Sequence, residues 1–217
     1  MKLRSDGFLH RRAMPTRYAF GRHRFYPQEL AEHERFELSD NVSPHLAWDD
    51  VPEGTRSLVI TCVDHDAPSD VSLANERGER VSREMPRTDF VHWVLIDIPA
   101  DHRELEEGQF SSGVTVGGKS LTDVPDGMRH GLNDYTRWFA DDAEMQGRYF
   151  GYDGPCPPWN DDLIHWYEFQ LFATDVETLE VPDGFDLATV QRALAGRVLA
   201  QASLEGFYYI SPEARFR

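Results

Sequence analysis

Alternating apolar and polar positions mark the strands of this chain before any composition is considered. Residues 57–66 (SLVITCVDHD) are rich in β-branched side chains and alternate in polarity, which predicts a strand. Residues 89–99 (DFVHWVLIDIP) predict a second strand, ended by Pro99. Residues 165–174 (HWYEFQLFAT) predict a third, and 203–210 (SLEGFYYI) a last one. Asp186 reads as an N-cap, and after it Leu187, Val190, Leu194 and Val198 fall on one helical face. Residues 134–147 (DYTRWFADDAEMQG) predict a short helix capped by Asp134. Residues 1–56 read as short strands and loops, 70–88 as a charged loop, and 105–135 as Gly-rich turns and short strands. Strands predominate without any βαβ alternation, so the fold is mainly β and a parallel sheet is not expected. There is no internal repeat and no low-complexity linker, which predicts one domain over 1–217.

Period 2 places side chains on strand faces. Leu58, Ile60 and Cys62 share a face that Asp64 and Asp66 continue. Phe90, Val94 and Ile96 share a face that holds His92, and Phe169 and Leu171 share one that begins with His165 and Tyr167. Trp93 and Trp166 fall on the opposite faces, as packing residues. If these strands form one antiparallel sandwich, Asp64, Asp66, His92, His165 and Tyr167 meet at one end of the core. Such groups are costly to bury without partners. Together they predict a pocket with polar groups on apolar walls, the usual form of a small-ligand site. The segment from Gly151 to Trp159 (GYDGPCPPW) has three prolines and two glycines, which predicts a stiff loop suited to be one wall.

Composition narrows the partners. The 217 residues carry 22 basic and 38 acidic side chains, a formal charge of −16. So acidic a chain is not a general binder of nucleic acid, and an anionic membrane surface would repel it. No apolar run approaches the ~20 residues of a membrane span, so stable insertion is not expected. Two cysteines, Cys62 and Cys156, exclude a disulfide scaffold. The N-terminal residues MKLRSDGFLHRRAMPTRY lack an apolar signal region, so a cytoplasmic location is expected.

Several segments then combine into a specific pattern. They are Asn41 to Trp48 (NVSPHLAW), Pro52 to Ser57 (PEGTRS), Asp64 to Ser69 (DHDAPS), His92-Trp93-Val94, Gly154 to Pro158 (GPCPP), His165-Trp166-Tyr167 and Gly196 to Ala202 (GRVLAQA). In order and spacing they resemble the phosphatidylethanolamine-binding protein family, in its bacterial Raf-kinase-inhibitor-like branch. The resemblance implies an antiparallel β-sandwich, Greek-key-like, with a few peripheral helices including one near the C-terminus. It implies a pocket at one end for small anions, phosphate or phosphomonoester and phospholipid head groups. Asp64, Asp66, His92, Gly154, Pro155, His165 and Tyr167 are the ligand-binding residues it suggests, with no catalytic residue, cofactor or metal. A regulatory or inhibitory role toward a kinase or protease, and a homodimer, are the further expectations it brings. Two departures stand out: His65 replaces the usual proline between the aspartates, and Trp166 the usual arginine. Residues 25–38, 70–88 and the stretch between Tyr135 and Gly151 are longer than in short bacterial members.

The same cluster admits a second reading as a hydrolase. His92, His165 and Asp64 make a metal-ligand set, and the Asp64/Asp66 pair suits paired-carboxylate chemistry. For an anion-binding site, an acidic group must either be protonated or accept from a histidine whose other N–H reaches the ligand.

Overall fold

The computed structural model describes residues 1–24, 36–121, 124, 125 and 127–217, so of the long stretch 25–38 only 36–38 lie among the described residues. In chain order the strands are β1 (Lys2–Arg4), β2 (Arg12–Ala13), β3 (Gly21–His23), β4 (Phe36–Leu38), β5 (Leu46–Asp49), β6 (Ser57–Pro68), β7 (Arg87–Pro99), β8 (Glu104–Leu105), β9 (Arg129–His130), β10 (His165–Thr174) and β11 (Val198–Tyr208). Two helices, α1 (Tyr135–Trp138) and α2 (Leu187–Leu194), complete the set with one 3-10 turn at Thr16–Tyr18. A six-stranded sheet runs β2-β11-β10-β6-β7-β9. All its pairings are antiparallel except the short β2–β11 contact. A three-stranded antiparallel sheet, β1-β5-β8, packs against it. Leu3, Leu46, Trp48 and Leu105 of the small sheet meet Leu58, Ile60, Cys62, Leu95, Phe169 and Leu171 of the large one in a common core. The fold is therefore the expected mainly β sandwich with few helices.

Strand β6 is buried on both faces along residues 57–64, because the second face of the large sheet is also covered. There Val59, Val94 and Ile96 pack under Leu179, Phe185, Val190 and Leu194. Helix α2 starts as the sequence predicts: Asp186 Oδ1 accepts from the Thr189 backbone N–H at 2.8 Å. It ends sooner. Gly196, at φ +74°, turns the chain, and Val198 opens strand β11 instead of extending the helical face.

Two other expectations are corrected. The helix predicted over 134–147 is regular only over Tyr135–Trp138. Asp134 does not cap it; its Oδ2 accepts from Val91 N–H of β7 at 2.8 Å, and its Oδ1 accepts from Arg137. The face assignment in β7 changes too. Cys62 opposes Trp93 while Val63 opposes Val91, so His92 is an extra residue, a β-bulge. The bulge reverses the alternation within the strand. Phe90 and His92 face the same side as Asp64, whereas Val94 and Ile96 face α2, and Trp93 and Leu95 enter the main core. Among the described residues no helix is long and apolar enough to cross a membrane. Cys62 and Cys156 are both free thiols.

Candidate functional site

A cavity of about 370 Å³ opens at one end of the large sheet. Asp64 of β6, His92 of β7 and His165 of β10 are its polar floor. Phe20, Phe90, Tyr135, Trp138, Phe139 and Met145 build one side. Cys156, Pro157, Pro158 and Trp159 build another, with Phe36 and Leu38 of β4 at the rim. The wall around α1 is held by ring contacts. Tyr135 stacks on Phe20 with centroids 4.5 Å apart, and meets Phe90 edge-on at 5.2 Å.

The floor is a chain of buried charges. His165 Nδ1 donates to Asp64 Oδ2 at 2.7 Å, and Nε2 donates to Asp161 Oδ2 at 3.1 Å. Asp161 in turn accepts two hydrogen bonds from Arg87, at 2.6 and 3.0 Å. The remaining N–H groups at the Arg87 tip donate to the carbonyls of Asp66 and Ser82. All four side chains are at most 5% exposed. Burial favours neutral His165, yet Asp64 and Asp161 override it and lift the imidazole to about 9. Burial likewise opposes the Asp64 charge, but the His165 cation holds its pKa below the usual carboxylate range. The sequence Asp64⁻, His165⁺, Asp161⁻, Arg87⁺ is thus internally balanced. Both ring nitrogens of His165 are occupied by carboxylates, so neither can ligate a metal or meet a ligand without breaking the chain.

His92 is arranged differently. Its Nδ1 donates to the Asp153 carbonyl at 2.7 Å, which fixes the tautomer. Nε2 makes no hydrogen bond among the described residues, and the ring lines the cavity. Burial pulls its pKa below the ordinary histidine value, only partly offset by Asp64. Asp153 is itself fully buried and anchored. Its carboxylate accepts from Asn41 Nδ2 at 2.8 Å and Asn133 Nδ2 at 2.9 Å, and pairs with Lys119.

The structure brings Asp64, His92 and His165 together as the sequence suggests, and sets the other four candidates behind the lining. A second bulge lies between Asp64 and Ala67, where Asp64 opposes Phe90 but Ala67 opposes Thr88. It turns Asp66 out of line: its backbone N–H donates to Asp64 Oδ1 at 2.7 Å, and its Oδ2 accepts from Trp166 N–H at 3.0 Å. The Asp64/Asp66 pair therefore does not face the cavity as two free carboxylates. Tyr167 is fully buried beside His92, ring centroids 5.1 Å apart, and its hydroxyl has no hydrogen-bond partner among the described residues. Burial, then the Asp64 charge, pushes that phenol well above its ordinary pKa. Gly154 and Pro155 support the wall from within. Gly154 N–H donates to Asn41 Oδ1, its carbonyl accepts from Tyr135 Oη–H, and the Pro155 carbonyl accepts from Phe20 N–H. His65 points away from the cavity, toward Asp89 and Glu168.

Asp161, Arg87, Asp153 and Asn41 were not singled out by sequence. A signal existed for two of them: Asn41 opens one of the segments that carry the family resemblance, and Asp153 sits inside the Gly-Pro-rich loop. Asp161 and Arg87 carried none, because neither lies on an alternating apolar face.

With this geometry in view, three comparisons agree. A family model described as phosphatidylethanolamine-binding protein matches residues 5–209. The chain is 35% identical over 169 residues to the UPF0098 protein YbhB of Escherichia coli, covering 78% of this chain and 82% of that protein. It is 31% identical over 208 residues to a UPF0098 protein of Methanothermobacter thermautotrophicus, covering 96% and 98%. Among solved structures, E. coli YbcL, described as a new member of the mammalian PEBP family, matches with a TM-score of 0.65 and 25% identity over 97% of this chain and 98% of that one. A model match across nearly the whole chain, relatives above 30% identity and a shared fold lead to one conclusion: this chain belongs to the phosphatidylethanolamine-binding protein family.

Proposed function

We propose that the protein binds a small phosphate-like ligand, a phosphomonoester or lipid head group, in the cavity over Asp64, His92 and His165, and does no chemistry on it. The observation that carries this reading is the locking of His165 between two carboxylates at the base of an apolar cavity. A general base, a nucleophile's partner or a metal ligand needs a nitrogen that can exchange protons or donate its lone pair. His165 has neither to offer and Asp64 is committed to it, which leaves His92 Nε2 as a single free nitrogen with no second free histidine or carboxylate beside it among the described lining residues. What remains is a rigid polar patch beneath aromatic walls, the form of a recognition site. A regulatory or inhibitory action on a kinase or protease would follow if the same end of the sandwich docked a partner's phosphorylated or acidic segment.

Titration of wild type and His92→Ala with inorganic phosphate and phenyl phosphate, followed by calorimetry and by histidine NMR signals, tests the assignment. Binding by wild type that weakens at least tenfold in His92→Ala is the expected result. Equal binding by both proteins removes His92 from the site and the reading with it.

A further inference from the structure

A phosphate-like ligand in this cavity faces an unusual floor. Among the described residues, no arginine or lysine lines it. The nearby cations are engaged away from the cavity: the Arg87 tip by Asp161 and two backbone carbonyls, Lys119 by Asp153, and His165 by Asp64 and Asp161. The Arg87 Nε–H, which has no partner among the described residues, belongs to a side chain that does not line the cavity. The charges that act most on His92 are acidic: Asp64 on β6, Asp134 before α1, and Asp153 in the loop, the last paired with Lys119. Tyr135 on α1 and Tyr167 on β10 meet its ring edge-on, and His165 on β10 is neutralised by its own partners. With Nδ1–H donating to the Asp153 carbonyl, the neutral ring can present only a lone pair, on Nε2. The Asp64 carboxylate beside it is also an acceptor. The two floor groups with free lone pairs, His92 and Asp64, therefore offer acceptors only; the donors of the lining, Asn75 and the Trp138 and Trp159 indoles, belong to the walls, and the Tyr167 hydroxyl lies behind the lining.

Resting on the binding reading above, we infer that the cavity takes its ligand in a hydrogen-donating form: a singly protonated phosphomonoester whose P–OH donates to His92 Nε2. Such a floor rejects a dianion, which brings no hydrogen and meets only acidic charge. It equally rejects a sulfate ester, which has the same shape and single charge as the protonated phosphomonoester but no hydrogen to give. The difference rests on one proton, because a site built of acceptors leaves an acceptor unpaired when the ligand lacks a donor.

Phenyl phosphate and phenyl sulfate form the test pair, since both fit aromatic walls. Calorimetry at pH 5, where the phosphate ester is mostly the monoanion, is compared with runs up to pH 8, above its second pKa of about 6. Phenyl phosphate is expected to bind at least tenfold more tightly than phenyl sulfate at pH 5. Its affinity is expected to fall close to tenfold per pH unit above 6, and the preference to vanish in His92→Ala. Sulfate binding within threefold of phosphate at pH 5, or phosphate affinity that is level from pH 5 to 8, overturns the inference while leaving the binding site standing. An imidazolium donor at His92 would give the former result, because it serves both esters alike. If neither ester binds nor shifts the His92 signals, the binding reading fails and takes this inference with it.

Discussion

The clearest quantitative consequence of the site is a dependence of stability on pH that runs through His165. In the folded protein its pKa is lifted to about 9, against 6.5 for the ordinary side chain. A base whose pKa is raised on folding stabilises the fold in its protonated form. That stabilisation is complete below pH 6.5 and is lost as pH rises through about 9. At 1.36 kcal/mol per pH unit the gap is worth roughly 3 kcal/mol, of which about 2 kcal/mol disappears between pH 6.5 and 8.5. The upper limit of that window matters, because buried Cys62 and Tyr135 add their own losses at more alkaline pH, where the unfolded thiol and phenol begin to ionise. The perturbation is pH itself, with His165→Gln as the control. Urea unfolding followed by circular dichroism at half-unit intervals gives the slope. Wild type should lose about 2 kcal/mol across the window and His165→Gln should lose almost none. The variant should also be less stable at pH 6.5 by roughly 3–5 kcal/mol, since it leaves Asp64 buried without its cation and Asp161 with Arg87 alone. If the variant does not fold, imidazole NMR on wild type reads the same quantity directly. A His165 titrating below 7, or a wild-type stability level across the window, refutes the charge chain.

Two further predictions follow from the walls. A Cβ on Gly154 would fall 1.9 Å from the Tyr18 carbonyl oxygen, backbone against backbone, so Gly154→Ala should destabilise by about 1–3 kcal/mol and displace the loop that carries Cys156 to Trp159; an unchanged melting temperature would show that the wall is not wedged there. Trp138→Ala should change the relative affinities of phenyl phosphate and a small alkyl phosphate by several-fold with a melting point within a few degrees of wild type, because the side chain lines the cavity yet is 38% exposed; a loss of stability alone, with selectivity intact, would make it a packing residue only.

Much of this arrangement could be read from the chain because its strands obey a simple period. Strand β10 alternates buried and half-exposed residues from His165 to Phe172, so Tyr167 and His165 were correctly set on the face of Phe169 and Leu171. The limits of period 2 appear where a residue is inserted. The bulge at His92 let the histidine keep its expected side while Val94, Ile96 and Trp93 exchanged theirs, so the correct prediction for His92 came from an alternation that the strand does not follow. The bulge after Asp64 had the opposite effect and withdrew Asp66. The charge chain stayed hidden for another reason. Arg87 and Asp161 are 74 residues apart in sequence, and only the folded strand ends bring them together. Helix 134–147 stops at Trp138 although Tyr135, Trp138, Phe139 and Met145 share one helical face; Asp142 Oδ1 accepts from the Glu144 and Met145 backbone N–H groups and starts a separate turn, and Trp138, Phe139 and Met145 all line the cavity.

Strand β6, central in its sheet and covered on both faces, gives the cavity a division of mobility. Amides in such a strand exchange with solvent only when the whole domain opens, whereas backbone outside sheets is released by local fluctuations costing far less. The carboxylate of Asp64 therefore persists as long as the fold does. The side built from residues 135–145 rests on one helical turn and a run of turns outside any sheet, so its exposed amides are expected to exchange through local openings. Any adjustment of the cavity to its contents would thus fall to the wall, with the floor fixed.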